Sequence, residues 1–82
     1  GKLSDQEYEV YLAIKKYYKS TNFTAKELSK KSGLNYWAIQ RRLSGLKNKK
    51  KIKRVYYREY TSPQTFVLQL EKRDGCCVWR LI

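Results

Sequence analysis

The stretch TAKELSKKSGLNYWAIQRRLSGL, residues 24–46, holds two helix starts and one helix stop, and its reading decides the fold. Thr24 stands as an N-cap with Glu27 three residues on, so hydroxyl and carboxylate can each accept from the other residue's backbone N–H. Phe23 before the cap and Leu28 after it form a hydrophobic staple. Gly33 stops the helix, because a C′ residue takes the left-handed conformation that glycine enters without strain. Asn35 then caps a second helix, with Leu34 placed to meet Ile39, although Ala38 cannot complete a capping box. Ile39, Leu43 and Leu46 follow at i, i+4, i+7, the spacing of a buried stripe. Helices are expected from Ala25 to Ser32 and from about Tyr36 to Lys47. Two short helices around a glycine turn make a helix-turn-helix.

Upstream, LSDQEY repeats the device: Ser4 caps, Glu7 reaches back and Leu3 can staple to Tyr8. Each cap contributes about 1 kcal/mol. A first helix should run from about Asp5 to Lys19 and bury Tyr8, Tyr11, Leu12, Ile14 and Tyr18. Downstream the period changes to two. Ile52–Tyr60 reads as a strand, Thr61-Ser62-Pro63-Gln64 as a turn and Thr65–Lys72 as a second strand. Arg73-Asp74-Gly75 is a tight-turn signal, and Cys76–Ile82 is a final strand. The expected fold is α+β, a winged helix of three helices followed by a two- or three-stranded antiparallel hairpin or meander, with all 82 residues in one domain. Ile52–Tyr60 pairs either with the next strand or with the last one around a long wing.

The chain carries 19 Lys/Arg against seven Asp/Glu, and the excess is local. Residues 25–58 hold 12 basic side chains and one acid, Glu27, whereas the flanking segments are close to neutral. Basic residues clustered on a helix-turn-helix are the electrostatic footprint of nucleic-acid binding. Double-stranded DNA is therefore the expected partner.

At 100° per residue, the third helix turns Trp37, Arg41, Ser44 and Asn48 away from its core stripe, with Gln40 on the flank. Arg41 suits guanine O6/N7 and Gln40 suits adenine N6/N7. Trp37, Gln40, Arg41 and Ser44 are the candidates for base contact. Gly45 lacks a side chain, so a backbone could approach there. Asn35 and Tyr36 lie at the helix N-terminus, where a phosphate meets free N–H donors. The run Lys47, Lys49, Lys50, Lys51, Lys53 and Arg54, with Arg42 beside the core stripe and Lys26, Lys30 and Lys31 on the second helix, would neutralise phosphates. Lys72 and Arg73 would form the tip of a wing. Competing structural readings stand beside these. Arg41 and Gln40 also fit a solvated helix surface, Tyr36 a half-buried core edge, and the lysine run a solvated loop. Of Tyr56, Tyr57 and Tyr60, at least one must face outward, where it could stack single-stranded bases or form a dimer surface.

Residues 3–55 resemble the TrmB-type and MarR-like winged-helix transcription regulators. LSDQEYEVYLAI looks like their first helix. TAKELSKKSGLNYWAIQRRLSGLKNKKKIKRV looks like their helix-turn-helix and strand, matching at Ala25, Glu27, Leu28, Gly33, Leu34, Ile39, Leu43, Leu46 and Ile52. The resemblance implies a transcription regulator with its third helix in the major groove. Lys50 stands where the family usually has Gly, and the segment after Val55 is longer and more aromatic than its usual wing. The ending CCVWRLI is also similar to Z-DNA-binding winged helices, which place a Trp in the last strand. There, Gln40 and Ser44 stand near the positions of an Asn and a Tyr.

Catalysis is not expected. The chain has no His, and Glu7 and Glu27 are accounted for by caps. Cys76 and Cys77 are adjacent and cannot form a four-ligand zinc site, so they read as reduced thiols, one inward and one outward, with an intermolecular disulfide as the alternative. No cofactor, metal or small-molecule ligand is implied. No run reaches the ~20 apolar residues of a membrane span, and the acidic N-terminus is not a signal peptide. A start at Gly1 with no Met anywhere suggests a tag scar or an excised fragment. The expected setting is the cytoplasm, at the nucleoid when bound, acting as a homodimer. A module of a plasmid or viral replication or partition protein has the same binding physics. A winged helix for RNA or protein contact is the reading from another class.

Overall fold

The computed structural model describes residues 2–82. Three helices, α1 (Asp5–Tyr17), α2 (Ala25–Ser32) and α3 (Tyr36–Asn48), precede six short strands. Both expected capping boxes are formed: Ser4 with Glu7 and Thr24 with Glu27 bond reciprocally at 2.9–3.2 Å. Gly33 closes α2 in the left-handed region, at φ 77°. The end of α3 makes the same kind of closure with a less suitable residue. Lys50 takes φ 60°, its N–H donates to Lys47 O, and the Lys51 N–H donates to Leu46 O. That bond pair is a Schellman closure with a lysine in the glycine position.

The strands form three antiparallel pairs. β1 (Ile52–Arg54) pairs with β6 (Trp79–Leu81), Arg54 opposite Trp79. Phe23 exchanges both backbone hydrogen bonds with Trp79, at 2.9 and 2.7 Å, so β6 lies between β1 and the segment that enters α2. β2 (Tyr56–Ser62) and β3 (Thr65–Leu70) form a long ribbon, turned by Pro63-Gln64. β4 (Lys72–Arg73) and β5 (Cys76–Cys77) form a short hairpin, with Asp74 and Gly75 both at positive φ, as a two-residue turn of this kind requires. The expected strand Ile52–Tyr60 is thus broken at Val55. There Val55 N–H donates to Val78 O, Glu71 N–H to Val55 O, and Val78 N–H to Glu71 O. Both expected pairings occur, on opposite sides of that junction.

The core joins Val10 and Ile14 of α1, Phe23, Leu28, the α3 stripe of Ile39, Leu43 and Leu46, then Ile52 and Trp79. Three expectations for α1 fail. It ends at Tyr17, two residues early, and Tyr8 and Leu12 are 53% and 45% exposed. Tyr8, Tyr11 and Leu12 have helical spacing, but so does the stripe Glu7, Val10, Ile14. The second one wins, because Glu7 gains partners that allow a carboxylate to be buried. Val10 then points inward, and Tyr8 and Leu12 lie roughly 160° away on the outer side.

Candidate nucleic-acid interface

On α3 the outward ridge lies where its periodicity puts it. Trp37 is 68% exposed and packs edge-on against Tyr36, with ring centroids 5.0 Å apart. Arg41, Ser44 and Asn48 continue the exposed line. Arg42 sits half-buried on the side facing α1, beside Gln6, Glu9 and Val10. Lys26, Lys30 and Lys31 are exposed on α2, with Lys26 Nζ donating to the carbonyl of Asp74 at 3.2 Å. Lys31 Nζ stands over the Tyr18 ring.

Four residues near the ridge are already occupied within the molecule. Gln40 turns to the sheet side and its Nε2 donates to Tyr36 Oη at 2.8 Å. The Tyr36 hydroxyl also lies 3.6 Å from Cys76 Sγ, so it is an internal hydrogen-bonding group rather than a phosphate donor. Asn35 Oδ1 accepts from the N–H groups of Trp37 and Ala38 at 2.9 and 3.1 Å. A good N-cap thereby takes two of the backbone donors a phosphate would have used. Gly45 faces α1, where a Cβ would overlap the Glu7 carboxylate, so the space without a side chain belongs to Glu7 rather than to an approaching partner.

The lysine run splits three ways. Lys47, Lys50 and Lys53 are exposed, and among the described residues none of the three makes an ion pair. Lys49 instead leans on α1: its Nζ donates to Glu7 Oε1 at 2.5 Å and to Lys2 O at 2.9 Å. The Lys49 ammonium, aided by the Ser4 N–H, holds the Glu7 carboxyl down to about 2, against an ordinary value of 4.5. Lys51 lies over the Tyr11 ring, in a cleft with Lys2, Asp5 and Tyr8. Arg54 stacks its guanidinium on Trp79, 5.3 Å from the ring centroid. Lys49, Lys51 and Arg54 are therefore the half-buried members of the run, each resting on the body, unlike Lys47, Lys50 and Lys53. A run of cations in sequence alternates around whatever backbone carries it, and here a helix end meets a strand.

The expected wing tip is corrected as well. Arg73 Nη1 bonds Glu27 Oε2 at 2.8 Å, folding the short hairpin onto α2, whereas Lys72 stays exposed. The hairpin that projects is β2–β3, whose turn Ser62-Pro63-Gln64-Thr65 carries no charge. Cys76 is buried and Cys77 half-buried, both as free thiols.

Sequence reasoning missed Glu7 as the organiser of the α1–α3 contact. Its signal was present: a carboxylate at N3, one helical stripe with Val10, and a glycine at position 45. Among the described residues no group of three or more His, Cys, Asp or Glu could hold a metal ion, and no helix is long and apolar enough to cross a membrane. No protein-family model, no curated protein and no solved structure matches the chain.

Proposed function

We propose that this chain is a winged-helix domain that binds double-stranded DNA in a sequence-dependent way, as part of a transcription regulator. α3 enters the major groove. Arg41 reads a guanine edge, Ser44 and Trp37 flank it, and Lys26, Lys30, Lys31, Arg42, Lys47, Lys50 and Lys53 meet phosphates. The observation that carries the reading is the exposed line Trp37, Arg41, Ser44, Asn48, bordered by cations without ion-pair partners among the described residues. A helix surface that only needed solubility would not leave a Trp and an Arg side by side in solvent next to unneutralised lysines. The strand order, with β6 between β1 and Phe23, also supports a winged-helix layout in which the ribbon replaces an ordinary wing.

Binding to a random double-stranded library, followed by titration of the selected site and of unselected DNA across salt, tests this. With about six phosphates neutralised, log K should fall against log[salt] with a slope near about −5. Arg41→Ala should remove about 1–3 kcal/mol from the selected site and leave unselected DNA almost unchanged. Lys53→Ala should weaken both alike and flatten the slope by about one. Equal losses on both DNAs for Arg41→Ala would end the base-reading role, and a flat salt response would end the DNA reading altogether.

A further inference from the structure

From Val55 to Gly75 no residue is buried, and within that span the β2–β3 ribbon separates its residues into two unlike faces. The register puts Tyr56 opposite Leu70, Arg58 opposite Leu68 and Tyr60 opposite Phe66 on one face. Tyr57 opposite Gln69 and Glu59 opposite Val67 fall on the other. Contacts on the first face agree with that division: the Tyr60 and Phe66 rings are 5.6 Å apart, and the Arg58 guanidinium lies 4.6 Å over Phe66. Apart from the Arg58 guanidinium the first face is apolar, and it is open, with Tyr60 59% and Leu68 62% exposed.

A two-stranded ribbon free in water is marginally stable and needs a third strand or a packed face. Among the described residues no strand of the body pairs with the ribbon, and residues 56–69 are all exposed. We infer that the Tyr56–Tyr60–Phe66–Leu68 face of the ribbon is the surface on which two copies of this chain associate. Charge selects this occupant. The molecule carries a formal +12, yet residues 55–70 contain one Arg and one Glu and no other charge. The ribbon, whose one Arg and one Glu cancel, is thus the long segment through which two strongly basic copies can meet without opposing lysines, and a face with a single cation among apolar side chains offers a phosphate backbone little. Size agrees with a reversible pair. At ~200 Å² for an aromatic side chain, the four residues offer on the order of 400 Å² per copy, an area in the range of weak, transient contacts below about 1,200 Å² in total. The dimer does not rest on the DNA reading.

Sedimentation equilibrium of the full chain without DNA decides it. Wild type should pass from monomer to dimer as concentration rises, with a dissociation constant in roughly the micromolar range. Leu68→Glu should raise that constant at least ~100-fold with the thermal melt retained, because Leu68 is 62% exposed. Val67→Glu, on the opposite face, should leave it within about threefold. A wild-type chain monomeric at about 1 mM would overturn the proposal, including one that instead captures single-stranded oligonucleotides through the ribbon tyrosines. Association unaffected by Leu68→Glu, or abolished only by Val67→Glu, would overturn it too. Since no DNA is present, these outcomes leave the Arg41 result to judge the DNA reading separately.

Discussion

The helical body and the ribbon are built from similar apolar residues, yet every buried side chain of the protein lies outside the ribbon. In the body, Ile14, Leu28, Leu43 and Ile52 each have neighbours on other elements, so their burial is fixed by several contacts at once. In the ribbon, Tyr60 has Phe66 and little else. The difference shows that periodicity reports which face is apolar, while only tertiary context reports whether that face is covered.

The largest test of this contrast pairs two leucines. Leu43→Ala should destabilise by about 2–5 kcal/mol, through lost burial and the cavity left in the core near Ala25 and Trp79. Leu68→Ala, measured by denaturant melts at a concentration low enough to keep the chain monomeric, should change stability by less than about 0.5 kcal/mol. Comparable losses at the two positions would mean that the ribbon packs on the body after all.

A second test concerns Glu7, the one buried charged residue among the described residues. Glu7 has its carboxyl lowered from 4.5 to about 2, first by the Lys49 ammonium and then by the Ser4 N–H. The folded state therefore binds the proton less readily than the unfolded chain. The stabilisation is complete above about 4.5 and is lost as pH falls through about 2. Denaturant melts across that window should show wild type losing stability and Glu7→Gln losing less. Gly45→Ala should also destabilise, although alanine favours a helix by about 1 kcal/mol over glycine, because its methyl group displaces the same carboxylate. A stabilised Gly45→Ala would show that Glu7 moves aside freely.

The smallest effect has opposite signs in its two readouts. Lys50 occupies the left-handed position that closes α3, at a cost of about 1 kcal/mol relative to glycine. Lys50→Gly should therefore raise stability by about that amount and weaken binding to all DNA sequences equally. A gain in stability with unchanged affinity would remove Lys50 from the phosphate set.

The helix starts and the end of α2 were legible because caps are local chemistry: Ser4, Thr24 and Gly33 need only their immediate neighbours, whereas α1 has no such stop signal and ends two residues early. The ridge on α3 was legible too, since Ile39, Leu43 and Leu46 leave little choice of inward direction. The allocation of the lysines was not. Whether Lys49 meets a phosphate or Glu7 depends on how α1 crosses α3, which no local window contains. For the same reason the apolar count on α1 favoured Tyr8 and Leu12 over a stripe that includes a carboxylate. The Gln40–Tyr36 bond was not legible either, because no local window shows that the Tyr36 hydroxyl turns toward Cys76.

The junction at Val55 bears on how the chain reaches its native state. Phe23 and Trp79 must find each other across more than fifty intervening residues, a slow search by ordinary loop-closure statistics. A hairpin zipping from its turn at Pro63 needs no such search, and once formed it delivers Val55 beside Glu71, leaving only a short tether to Val78. The ribbon adds nothing to the buried interior, yet its closure shortens the loop between Val55 and Val78, the two residues that bond at the junction.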